Sequence, residues 1–134
     1  MTEEAGWSEP RVVTKISPRP VTGTVARLTD LLAARGMKLF AVIDQSAEAQ
    51  QVGLPLRGTT LVLFGSPAAG TPVMAAAPLA ALDLPLKVLI WDDAGQTKVS
   101  YYAPAALAAR HHLGADLAAK LTGIDPLTDA LVAP

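Results

Sequence analysis

Apolar and polar residues alternate over RVVTKIS, residues 11–17, and prolines at 10 and 18 bound the run, so it predicts a first strand. Beyond Val21 the rhythm changes. Val25, Leu28, Leu31 and Leu32 recur at three- and four-residue steps, the period of a helix that buries one face. Thr22 or Thr24 is the expected cap of that helix, and Gly36 its left-handed closing residue. MKLFAVID, residues 37–44, is a continuous apolar run too short for an average helix, and it reads as a buried strand. AEAQQVG then supplies one or two helical turns, from an N-cap at Ser46 to a stop at Gly53.

TTLVLFG (59–65), PLKVLIW (85–91) and TKVSYY (97–102) predict the third, fourth and fifth strands, with DDAGQ as a hairpin turn between the last two. Between the third and fourth, Thr71 is expected to cap and Pro72 to begin a short helix that Pro78 ends. After Tyr102 the segments APAALAARHHL, ADLAAKL and PLTDALV read as helical, separated by Gly114 and by residues 123–126. The order β-α-β-β-β-β-α describes an α+β fold, a mainly antiparallel sheet with helices packed on one face and its later strands in a meander. Residues 1–10 are expected to form an N-terminal tail and residues 11–134 a single domain.

Composition narrows the function classes. Apolar residues make up 51% of the chain but aromatics only 4%, so the core must be built from Leu, Val, Ile and Ala. Eleven basic and twelve acidic residues give a formal charge of -1, with no basic block to hold a nucleic acid or an anionic membrane. The apolar region 72–91 is interrupted by Pro78, Asp83, Pro85 and Lys87, so no membrane span is expected. The acidic N-terminal residues lack a secretory pattern, and the absence of Cys suits a reducing compartment, so the expected location is the cytoplasm.

FGSPAAGTPVM, residues 64–74, sets Gly65 and Gly70 around four residues and follows them with Thr71, close to the spacing of a phosphate-binding loop. A Walker loop needs a Lys after its second Gly and free backbone N–H groups to cradle phosphates. Here the Lys is missing, and Pro67 and Pro72 have no N–H to offer. The two glycines read instead as turns at the end of a strand, with Thr71 and Pro72 opening a helix. A strand-end loop leading into a helix can still receive a small anion or carboxylate.

FGSPAAGTPVM and the following PLAALDLPLKVLIWDDAGQTKVSYYAP resemble the signature of the DUF302 family, small bacterial and archaeal domains of uncharacterised function. The family's usual form has Asn and Lys where this chain has Ser66 and Ala68, followed by the same Ala69, Gly70, Thr71 and Pro72. FAVIDQSAEAQQVGL, from Phe40, and LAARHHL, from Leu107, are similar to two further blocks, so the resemblance runs from about residue 11 to 131 in one order. It implies a compact α+β fold, usually seen as a dimer, and supplies no reaction. Members often carry Asp, His, Ser at the end of the second strand, where this chain has Asp44, Gln45 and Ser46, so a role for that His is lost here.

Other chemistry is sparse. His111 and His112 are neighbours and point ~100° apart on a helix, unlike metal-binding pairs at three- or four-residue spacing, so neither a metal nor a cofactor is expected. Both read as histidines at a helix C-terminus. Asp92 and Asp93 read as turn residues and Asp44 as a cap at the end of a strand. Tyr101 and Tyr102 should face opposite sides of the fifth strand, while Trp91 and Met74 read as core first and pocket lining second.

The sequence therefore reads as a non-enzymatic domain binding a small ligand, an anion or a partner, and as a homodimer. Asp44, Gln45, Ser46, Gly65, Ser66, Gly70 and Thr71 are the candidate ligand-binding residues. The alternatives are an enzyme using Asp44 or a histidine as acid or base, and a purely structural assembly module.

Overall fold

The computed structural model describes residues 11–134, so the expected tail, residues 1–10, lies outside the described residues. Five strands form one antiparallel sheet in the order β1-β5-β4-β3-β2: β1 (Val12–Ser17), β2 (Lys38–Asp44), β3 (Thr59–Gly65), β4 (Leu86–Asp93) and β5 (Gln96–Tyr102). Strands β2 to β5 make the expected meander, and β1 closes against β5, with Val12 opposite Tyr102 and Ser17 opposite Thr97. The fold is α+β.

Alternation along the strands chooses the core face. Val62 and Phe64 of β3, Val88 and Ile90 of β4, and Val99 and Tyr101 of β5 are buried against one another. Helices α1 (Val21–Ala34) and α6 (Ile124–Val132) lie on that face and contribute Leu28, Leu32, Ile124, Leu127 and Leu131. Truncating one such leucine to Ala costs ~2–5 kcal/mol, a large part of a typical domain's net stability. The carbonyls at the end of α6 are satisfied from a distance: Arg19 donates to Leu131 O and Ala133 O, and Arg27 to Ala130 O.

A smaller core stands beside the first. Val73 of α3 (Pro67–Ala76), Ala80 of the 3₁₀ helix Pro78–Leu82, Leu107 of α4 (Pro104–Arg110) and Leu121, just after α5 (Ala115–Ala119), are buried together. Leu86, at the start of β4, packs against both cores and joins them. The opposite face of the sheet holds Trp91, whose Nε1 donates to Ser100 Oγ at 3.0 Å, and Ser100 in turn bonds the Thr14 hydroxyl at 2.9 Å.

Several expectations are corrected here. β2 was expected to be buried but is an edge strand, and Leu39, Phe40 and Val42 are all exposed, because the sheet order leaves it a neighbour on one side only. Its apolar run carries the composition of an inner strand, which is why the sequence misleads. Pro20, not a threonine, stands at the cap of α1; Thr24 is buried, and its hydroxyl bonds that of Ser17 at 2.7 Å. Ser66 and Pro67, not Thr71 and Pro72, open α3. Ser-Pro five residues earlier offers the same cap-and-first-turn pair, and the helix formers Ala68 and Ala69 follow it. Gly70 is therefore a helical residue rather than a turn.

Asp44 rather than Ser46 caps α2 (Gln45–Gln51), accepting from Ala47 N at 2.9 Å. Gly36 and Gly53 do close their helices, with φ of 67° and 76°. The β4–β5 turn has only Ala94 and Gly95 at its tip, both at positive φ, 51° and 93°.

Candidate functional site

β3 ends at Gly65, packed beside Pro85 and Phe40: a Cβ there would stand in ordinary contact, 3.7 Å from Pro85 Cβ and 3.8 Å from Phe40 Cε2. The next residue, Ser66, turns the chain into α3, its Oγ accepting a long 3.4 Å bond from Ala69 N. Gly70 and Met74 follow one helical turn apart on the side facing Leu84. Opposite them the α5–α6 connection brings Lys120, Leu121, Gly123 and Ile124. Between these walls lies a cleft of about 210 Å³, with Met37, Phe40 and Leu86 completing it.

Among the described residues the lining is apolar apart from Ser66 and Lys120, with neither a carboxylate nor an imidazole. The Lys120 ammonium makes no hydrogen bond or ion pair with another described residue. Gly70 leaves space at the cleft wall. It is neither at positive φ nor crowded, since a Cβ would meet Met74 Cε at 3.8 Å and Leu84 Cδ1 at 3.9 Å, so a larger side chain there would grow into the cleft.

Of the candidate residues, the structure brings Gly65, Ser66 and Gly70 to this cleft, while Thr71 is exposed on α3 outside it. Asp44, Gln45 and Ser46 are elsewhere. Because β2 and β3 are antiparallel, Gly65 lies opposite Lys38, and Asp44 lies opposite Thr60 at the other end of the ladder. Six residues of extended chain separate the two groups by ~20 Å, so they do not form one site. Asp44 and Ser46 line a separate open depression with Gln50, Leu54 and Leu56, while Gln45 is exposed at the start of α2.

Asp44 is a poor acid or base. Hydrogen bonds from Ser46 Oγ, at 2.7 Å, and from the Ala47 amide hold its carboxyl below the usual range. His111 Nε2 lies 2.6 Å from Asp83 Oδ2, and Arg110 Nη1 donates to both oxygens of the same carboxylate. Burial would raise the Asp83 pKa, but the bonds from His111 and Arg110 prevail and lower it. This cluster ties the 3₁₀ helix to α4 and does not line the cleft. His112 is exposed at φ 54°. Among the described residues no three His, Asp or Glu side chains are grouped to hold a metal.

The sequence reading missed the far wall. Residues 120–124 are more than fifty positions from Ser66, and only the docking of α5 and α6 brings them near. Met74, read as core first and pocket lining second, takes the second place: α3 turns that side chain into the cleft.

The family model for a domain of unknown function, DUF302, matches residues 13–131, which takes in both walls of the cleft. The chain belongs to the DUF302 family. Its fold is similar to that of an uncharacterized conserved DUF302 protein from Bacillus stearothermophilus, known from a crystal structure, with a TM-score of 0.78 at 18% identity over 92% of this chain and 97% of that one. Two curated relatives are named fluoride-specific ion channel FluC 1. Those from Brucella suis and Brucella abortus are each 37% identical over 122 residues, 87% of this chain but only 48% and 45% of the respective channel protein. The DUF302 chain thus spans about half the length of the curated relatives it matches. No helix among its described residues is long and apolar enough to cross a membrane.

Proposed function

We propose that this DUF302 chain is a non-enzymatic binding domain, acting as a homodimer, that receives a small molecule or a partner's side chain in the cleft between Ser66–Gly70 and Lys120–Ile124. The observation that carries the reading is the cleft's lining. Its apolar wall can desolvate a ligand, worth ~25 cal/mol per Å² of apolar surface covered, whereas it presents no carboxylate or imidazole to move a proton. Neither Asp44 nor His111, the acid–base candidates, lines it. A purely structural module has no use for such a cleft.

The dimer is supported by the apolar side chains left uncovered on the β2 edge strand and in the segment after it. Leu39, Phe40 and Val42 of the β2 edge are exposed, as are Val52, Leu54 and Leu56 in the segment that follows. An edge strand with exposed apolar residues is a ready pairing surface, and two-fold pairing is the commonest way to cover one. The cytoplasm is the compartment this reading assumes.

Binding is tested with the neutral fluorescent probe N-phenyl-1-naphthylamine. Saturable enhancement that Gly70→Leu removes, with the melting temperature retained, is the expected result; enhancement unaffected by that substitution refutes the cleft as the site. Sedimentation velocity across a dilution series tests the dimer. A species of dimer mass that Val42→Lys converts to monomer is expected, and monomer throughout up to about a hundred micromolar excludes it.

A second reading is favoured by the curated relatives. Each is named a fluoride-specific ion channel and this chain matches about half of it, so on this reading the domain is the partner of a membrane channel in fluoride handling rather than a conductor itself. Deleting the coding sequence in its host should then lower fluoride tolerance; unchanged growth over a fluoride series rejects it.

A further inference from the structure

The lysines of the described chain differ in how their charge is met. Lys15 pairs with Asp129 at 2.8 Å and Lys98 with Asp93 at 2.6 Å, Lys87 donates to the Asp83 carbonyl, and Lys38 lies over the Phe40 ring. Among the described residues Lys120 alone has no such partner, and among them it is the only charged residue lining the cleft. Its neighbours there include Phe40, Met74 and Leu84. An apolar hollow with one unpaired cation and no anion selects a ligand that is apolar over most of its length and negative at one end.

We propose, building on the reading of the cleft as a binding site, that its ligand class is a small apolar monocarboxylate whose anionic head meets Lys120. Size sets the scale: about 210 Å³ holds roughly seven groups of the volume of a water molecule, which suits a chain of six to eight carbons with its carboxylate at the rim. The Ser66 hydroxyl is a second polar group in the lining, and its bond from Ala69 N uses it only as an acceptor, so its proton is available to a carboxylate oxygen. Met37 and Met74 suit the remainder, since a flexible thioether chain adapts to ligands of varied shape. A phosphate monoester fits less well, because a doubly charged head would find one cation where it needs several donors.

Octanoate, 1-octanol and octylammonium, titrated by calorimetry and by amide NMR shifts into the wild-type chain, Lys120→Met and Gly70→Leu, test the class. Octanoate is expected to bind the wild type up to about fivefold more tightly than octanol, as one exposed ion pair allows, and octylammonium least. Lys120→Met, which keeps the apolar stem on an exposed residue, should erase that preference while octanol still binds. Gly70→Leu should abolish all binding. Equal affinity for octanoate and octanol, or a preference that survives Lys120→Met, overturns the carboxylate class and leaves the cleft as an apolar site. Probe binding without any binding of octanoate also overturns it, and absence of every ligand from the cleft overturns both readings.

Discussion

The Tyr101 hydroxyl donates to Asp125 Oδ1 across 2.6 Å, fastening the last strand to the last helix. Lys15 joins from β1, its ammonium 5.3 Å from the Tyr101 ring centroid and bonded to Thr128 Oγ1 at 2.7 Å and to the Asp125 carbonyl. Three distant segments therefore share one polar tie at the border of the main core.

Tyr101→Phe should lower stability by about 1–2 kcal/mol, the usual cost of depriving a half-buried carboxylate of a donor. Lys15→Met should cost a similar amount, and because the groups share partners, the double variant should lose less than the sum in urea unfolding. Additive losses would show that the tie is not one unit.

The same tie should fail in alkali. Burial and the bond to Asp125 raise the Tyr101 pKa; burial pulls Lys15 down, but its bonds to Asp129 and Tyr101 outweigh this and raise it. A raised folded-state pKa gives stability that is complete below the unfolded value, near 10 for both groups, and is lost as pH rises through the folded value. The alkaline melting limb should accordingly flatten in Tyr101→Phe, as read by melting temperature from pH 8 upward.

Asp83 predicts the opposite limb. Its carboxyl is lowered by His111 and Arg110 against the effect of burial, so its contribution is present above the unfolded pKa of about 4 and is lost as pH falls through the folded value. Asp83→Asn should be less stable than wild type at neutral pH, and the difference should shrink toward pH 3. A difference constant with pH would place its cause in packing rather than charge.

Ala94 occupies the left-handed region at φ 51°, a conformation that costs an L-residue other than Asn or Gly ~1–2 kcal/mol. With Gly95 beside it, Ala94→Asn creates the Asn-Gly pair favoured in two-residue hairpins. The urea midpoint should rise by about 1 kcal/mol equivalent with an unchanged m-value.

Much of the sheet was legible because its signals are local. Thr60, Val62 and Phe64 alternate inward, and Ala94-Gly95 lies within the expected DDAGQ turn. The helix starts were harder, since Ser46, Thr24 and Thr71 all have the chemistry of caps, and the neighbouring chain decides which hydroxyl is free to act; Thr24 is committed to Ser17. Burial of β2 was illegible from periodicity, because apolar composition does not say which strand stands at an edge. The site was half legible. Gly65, Ser66 and Gly70 lie within six residues of one motif, whereas Lys120 and Ile124 reach the cleft only through tertiary packing, and the grouping of Asp44 with that motif needed a ladder register the sequence does not carry.

The partnership of the first strand with the last constrains how the chain assembles. Thr14 and Ser100, bonded to each other, are 86 residues apart, so β1 has nowhere to pair until β5 has been made, whereas β2 to β5 pair through connections of at most 20 residues. Closing so large a loop costs entropy before any contact repays it. The meander should therefore form early, with β1 as the late arrival on the ribosome and in refolding alike, and pulsed hydrogen exchange should find β3 and β4 amides protected before those of β1. Simultaneous protection would instead mean that the two ends of the chain meet in the nucleus itself.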